Sequence, residues 1–219
     1  MPSRPQRRPR KKRSKKQQWR FIGGVVTLGL IGSVVLGALL AFAVSVTEIP
    51  TPKEVARAQT TIVLWSDGER EMGRFGEFNR TDVSFDQIPE NVRVAVLAAE
   101  DRNFYKHNGF SVTGFARAIL VNVFSGSRVG GSTITQQYAK LAFLTQDKTV
   151  IRKAKELVLA IKLESVESKD QILENYLNTA YFGRGAYGVQ AAARAYFGVD
   201  ISEITFSQGA ALAAQLQSP

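Results

Sequence analysis

The sequence predicts a mainly α-helical domain with one small β-hairpin, preceded by a single N-terminal transmembrane helix. Three observations predict this. Phe21 to Val46 is 26 residues without a charge, long enough to span a bilayer with some tilt. From Pro89 onward, apolar side chains recur at helical spacing between capping and breaking signals. Only residues 60–75 carry a strand-like pattern around a turn.

The N-terminal tail, residues 1–20, holds ten Lys/Arg and no acid, whereas the rest of the chain has 19 Lys/Arg against 19 Asp/Glu. The formal charge of +10 therefore belongs to the tail. It reads as a topology signal, with the N-terminus cytoplasmic and residues from about 47 onward outside, and no nucleic-acid partner is expected. A cleaved signal peptide is the competing reading of residues 21–46, but a cleavable apolar region is usually about 7–15 residues, so an uncleaved anchor is expected. Small residues recur along the span at Gly29, Ser33, Gly37, Ala41 and Ser45, a spacing that permits close helix packing. With no cysteine in the chain, disulfides and thiolate metal sites are excluded.

Residues 47–59, with Pro50 and Pro52, read as a juxtamembrane linker. Thr60–Trp65 is apolar and β-branched, Ser66-Asp67-Gly68 signals a turn, and Glu71–Phe75 returns as a second strand. Ile88, Val92, Ala95, Val96 and Ala99 share one helical face that begins at Pro89 and ends at Glu100. Ser111–Phe124 is a second helix, with Phe115, Ala118 and Ile119 apolar, and the glycines and serines from Ser125 to Gly131 break it as a mobile loop. A third helix runs from Ser132 or Thr133 to about Leu144, and a fourth from about Thr149 to Glu167. Ser168 and Gln171 have capping-box spacing for a fifth, ending near Asn178. After the glycine-rich break Gly183–Gly188, a sixth runs from Ala186 to Phe197 and stops at Gly198. Thr205 and Gln208 cap the last.

Chemistry concentrates in three segments. Glu100 and Asp101 stand at a helix end before the aromatic, basic loop Arg102–Gly109. A carboxylate there, beside apolar side chains, suits a general base. Thr133, Gln137 and Lys140 stand at i, i+4 and i+7, a polar stripe behind Gly130-Gly131, where free backbone N–H groups attract anions. The bland alternative is an exposed polar face. Arg152 and Glu156 stand at i, i+4 with Lys153 between them. They read either as a solvated ion pair or as a cationic wall holding one carboxylate. His107 is the only histidine and reads as a hydrogen-bonding prop. Without Cys or a second His, a transition-metal site is not expected. Phe104 fits either the core or a substrate groove.

Glu100–Gly109, Gly130–Gln137, Arg152–Glu156 and Ile172–Asn178 together resemble four ordered motifs of the peptidoglycan glycosyltransferases, and Ser207–Pro219 resembles the start of a fifth. These enzymes form the membrane-proximal domain of class A penicillin-binding proteins and also occur alone. The resemblance covers roughly residues 60–219 and implies a lysozyme-like fold in two lobes, the smaller partly membrane-embedded. It implies polymerisation of lipid II at the plasma membrane, with Glu100 as general base and Glu156 as the second essential carboxylate. Gly130, Ser132, Thr133, Gln136, Gln137, Lys140, Arg152 and Lys153 match the family's substrate-binding motif positions; of these, Thr133, Gln137, Lys140, Arg152 and Lys153 hold the donor and its pyrophosphate. Asp101, Phe104 and His107 match positions around the base. It also implies a divalent cation such as Mg²⁺ at the pyrophosphate, with no ligands assigned, and no organic cofactor. Expected partners are lipid II, the growing lipid-linked glycan, the membrane, and cell-wall synthesis or division proteins.

Two departures stand out: Leu141 where the family often has Asn, and Leu212–Gln217 where a Gly and a Pro are more usual. The abrupt apolar ending leads us to expect the N-terminal piece of a longer bifunctional protein rather than a monofunctional polymerase. Two other functions compete. A glycan-cleaving, lysozyme-like enzyme would use a Glu at a helix end but would not need a row of cations. A non-catalytic cell-wall scaffold would not need both Glu100 and Glu156.

Overall fold

A computed structural model describes residues 15–49, 61–75, 79–125, 130–144 and 149–217. The chain divides into two units, residues 1–46 and 47–219. The first is a single helix, α1 (Lys15–Val46), whose stretch Gly29–Val46 is long and apolar enough to cross a membrane. The expected linker falls largely on residues 50–60, and the expected mobile loop on 126–129; both lie outside the described residues.

The second unit opens with the expected hairpin. Strands β1 (Thr61–Leu64) and β2 (Glu71–Phe75) pair antiparallel, with the register shifting between Val63 and Leu64. Asp67 closes the turn by accepting the backbone N–H groups of Glu69 and Arg70, an Asx-type arrangement. Helices then dominate: α2 (Glu90–Glu100), α3 (Val112–Phe124), α4 (Ile134–Phe143), α5 (Val150–Val166), α6 (Lys169–Thr179), α7 (Val189–Phe197) and α8 (Phe206–Gln217). Their starts follow the sequence signals. Ser111, Thr133, Thr149 and Ser168 each accept a backbone N–H from the first turn, satisfying donors that a helix end leaves open. Gly198, at φ 71°, stops α7 as expected.

The core lies where α4 packs on α5 and α6, and α2 packs along α8. Val92 and Val96 carry the buried face of α2, with Ile88 buried just before it, and Gly209 of α8 lets that helix approach Val92 closely. Ala99, expected on the same face, is exposed. Helix α3 buries Ala118 but leaves Val112, Phe115, Leu120, Val123 and Phe124 exposed.

One expected boundary is corrected. The sixth expected helix begins at Val189 rather than Ala186. Ala186–Tyr187 instead form a strand, β4, parallel to β3 (Asn79–Arg80). Gly188, at φ 85°, lies against the carbonyl oxygen of Asn178 where a Cβ would stand 2.8 Å away. This left-handed residue separates strand from helix. A two-residue ladder leaves no periodicity to read, which is why only one hairpin was expected. Three single-turn 3₁₀ helices, Phe85–Gln87, Phe104–Lys106 and Ile201–Glu203, were also not expected.

Candidate active site

Glu100 is the last residue of α2, and Asp101 leaves the helix in an extended conformation. The two adjacent carboxylates therefore point to different tasks. Asp101 turns inward. Its Oδ2 accepts from His107 Nε2 at 2.8 Å and from the backbone N–H of Ile134, the first residue of α4, at 3.2 Å. Thr133 faces the same way: its hydroxyl donates to the Gly109 carbonyl at 2.8 Å and accepts from the Gln136 N–H. Gly109, at φ 78°, lies so close to α5 that a Cβ would stand 2.8 Å from the Ala160 backbone. Two hydrogen bonds and one glycine contact thus lock the Glu100–Gly109 loop, the start of α4 and the middle of α5 together.

That lock positions Gln137 one turn into α4, where its Nε2 donates to Glu100 Oε2 at 2.7 Å. Its Oε1 accepts from the hydroxyl of Tyr176 on α6 at 3.1 Å. The other Glu100 oxygen, Oε1, is buried and has no hydrogen-bond partner among the described residues. A buried acceptor without a partner is costly, and Glu100 is one of the residues lining a cleft. Glu100, Asp101, Arg102, Asn103, Arg117 and the Gly130–Ser132 turn line that cleft. Tyr176 is fully buried; burial, with the Glu100 carboxylate adding to it, pushes its phenol far above the ordinary value.

A second cleft shares Ser132 with the first. Gln136, Gln137, Lys140, Arg152, Lys153 and Glu156 line it. Glu156 is 2% exposed. One of its oxygens accepts from Arg152, and the other lies 2.6 Å from Lys153 Nζ. Lys153 Nζ also donates to the Ser132 hydroxyl at 2.6 Å. This is not a solvated face: burial of the carboxylate requires the cations around it. Lys140 forms no ion pair among the described residues, so its charge is left for the cleft.

Several expected site residues sit elsewhere. Thr133 is not on one stripe with Gln137 and Lys140; it is the buried N-cap of α4 and lines neither cleft. Part of the helix end expected as an anion site behind Gly130-Gly131 is occupied by the chain itself, while the Gly130–Ser132 turn lines the first cleft. The amides of Ile134 and Gln136 are taken by Asp101 and Thr133, because a carboxylate of the chain already occupies the positive end of α4. Phe104 is core, 1% exposed, with its ring edge-on to His107 and under Lys169 Nζ. His107 holds Asp101, as a prop would. Glu100, Asp101, Gly130, Ser132, Gln136, Gln137, Lys140, Arg152, Lys153 and Glu156 are brought to the two clefts.

Sequence reasoning placed Tyr176 inside the motif Ile172–Asn178 but gave it no role of its own. It also missed Glu164, which accepts from Thr135 of α4 and pairs with Lys169 at 2.7 Å. Among the described residues no group of three His, Cys, Asp or Glu side chains assembles as a metal site.

Comparison with known proteins places the chain in a family. The family described as Transglycosylase matches residues 68–219. The chain is 46% identical over 194 residues to penicillin-binding protein 1A of Mycobacterium tuberculosis, covering 85% of this chain and 24% of that protein. It is 50% identical over 142 residues to penicillin-binding protein 1F of Bacillus subtilis, covering 64% and 20%. It is 43% identical over 174 residues to penicillin-binding protein 1A of Escherichia coli, covering 78% and 20%. The chain spans about a quarter or less of the length of these relatives.

Proposed function

We propose, from the premise that this chain belongs to the transglycosylase family, that it is a peptidoglycan glycosyltransferase that polymerises lipid II. One observation carries the reading: a carboxylate with one oxygen held by Gln137 and the other buried without a partner among the described residues, in a cleft that shares Ser132 with a second cleft lined by Gln137, Lys140, Arg152 and Lys153. A sugar hydroxyl is a poor nucleophile and needs a base. The acceptor's 4-hydroxyl donates its proton to Glu100 as its oxygen attacks the donor's anomeric carbon. The bond from that carbon to the phosphate oxygen breaks, and the lipid pyrophosphate leaves. Attack opposite the leaving group inverts the centre, so an α-linked donor gives a β-1,4-linked glycan.

The leaving group gains negative charge as the bond breaks, and fixed cations lower the barrier by meeting it there. Lys140, Arg152 and Lys153 supply them. Glu156 has both oxygens committed to Arg152 and Lys153, which suits holding those cations in place rather than carrying protons. The residues of this cleft do not make a cation site of their own, since its buried carboxylate is occupied and no acidic cluster accompanies it among the described residues. No step is therefore routed through a divalent cation. The cationic cleft also disfavours a glycan-cleaving enzyme, which has no pyrophosphate to hold.

The exposed apolar side chains of α3 and of Val150 and Ile151 support a lysozyme-like, two-lobed domain with one lobe touching lipid. The uncharged stretch Phe21–Val46 of α1 and the basic residues before it support a single-pass protein, with its N-terminus cytoplasmic and its catalytic unit outside. The test is incubation of the purified, detergent-solubilised chain with labelled lipid II, beside Glu100→Gln. Wild type is expected to yield polymer and Glu100→Gln to lose at least about a hundredfold in rate. Equal rates would remove Glu100 as the base, and no polymer from wild type would remove the proposed activity.

A further inference from the structure

The geometry points to Tyr176 as a positioning residue for the base, acting through Gln137 to leave Oε1 of Glu100 as the proton-accepting atom. The inference rests on the proposed function and adds a residue from the fourth motif to the working site. Ionised Glu100 can only accept hydrogen bonds, so the Gln137 side chain must present its NH₂ to it. The Gln137 carbonyl oxygen then faces the other way and requires a donor. The Tyr176 hydroxyl meets it at 3.1 Å. Burial keeps that phenol protonated, so it stays a donor across any working pH.

The three groups form a directional chain: Tyr176 O–H to Gln137 Oε1, then Gln137 Nε2–H to Glu100 Oε2 at 2.7 Å. Without Tyr176 only the carboxylate orients the amide, and the Gln137 oxygen loses the one donor that holds it among the described residues. A flipped Gln137 would set its own oxygen against the carboxylate and repel it. With Tyr176 in place, Oε2 is tied and the carboxylate cannot rotate freely. Among the described residues Oε1 is then the oxygen of the base still lacking a partner, and it is held still for the incoming hydroxyl. Positioning of this kind matters because small displacements of a reacting group cost much of its effectiveness.

The experiment combines kinetics with a spectroscopic readout on the whole detergent-solubilised chain. Tyr176→Phe keeps the ring and removes only the hydroxyl. It is expected to lower kcat on lipid II about five- to tenfold, with KM unchanged, since the variant touches no substrate. Gln137→Leu is the second variant, and in its background Tyr176→Phe is expected to cost nothing further. An equal loss in both backgrounds would mean Tyr176 acts only as core and would overturn the inference. The side-chain amide NMR signals of Gln137, assigned by their loss in Gln137→Leu, are expected to move in both Tyr176→Phe and Glu100→Gln. Signals unmoved in Tyr176→Phe would also overturn it. These signals do not depend on turnover, so an inactive wild type would refute the proposed function while the amide signals still decide the relay.

Discussion

Glu167 shows how much of a side chain's behaviour is set by its surroundings. It closes α5 as the C-cap, half-buried, with Asn175 donating to its Oε2 at 3.1 Å. Burial lifts its carboxyl above the ordinary value, outweighing the Asn175 hydrogen bond. A raised value means the folded chain holds this proton more tightly than the unfolded one. Its contribution to stability is therefore full below the unfolded value and is lost as pH rises through the folded one. Glu167→Gln keeps an acceptor for Asn175 and removes the charge, so it is expected to raise Tm at about pH 7, with the gain fading toward about pH 4. Thermal melts across that range check it. The sequence placed Glu167 at the end of its helix but carried no sign of its burial, because Asn175 approaches from the next helix.

At the scale of elements, most boundaries were legible because each is written locally. Ser111, Thr133, Thr149 and Ser168 cap the helices their positions announce. What was not legible is which elements cross closely. Gly109 reads as a loop terminus in the sequence, whereas in the fold it is where α5 passes. Gly109→Ala combines a left-handed φ of 78° with a Cβ 2.8 Å from the Ala160 backbone. It is expected to destabilise the chain by about 3 kcal/mol or more and to slow polymerisation, because the same contact holds Thr133 and thus Gln137. Gly185→Ala, at φ 70° with nothing within 4 Å, is expected to cost only about 1 kcal/mol. Urea denaturation of the two variants side by side separates strain from crowding; equal costs would show that the approach of α5 is unimportant.

At the scale of the molecule, the cation-lined cleft is a sum of charges from two helices. Lys140 comes from α4, and Arg152 and Lys153 come from α5. If this cleft takes the lipid pyrophosphate, inorganic pyrophosphate is expected to compete with lipid II. Lys140→Met is expected to weaken that competition about tenfold without lowering Tm, since Lys140 has no ion pair to lose among the described residues. Inhibition kinetics measure both; no competition would remove the anion site. The sequence by itself determined the anchor-length apolar helix, the helical class, nearly every cap, and the residues that line the cationic cleft, because periodicity, capping and charge order are local properties of the chain. Only the tertiary structure decided that Asp101 serves the end of α4 while its neighbour Glu100 faces a cleft, that Thr133 turns inward, and that Tyr176 reaches the base through Gln137. Those outcomes depend on hydrogen bonds between segments 24 to 39 residues apart, where direction and distance are fixed by helix packing and leave no mark in local spacing.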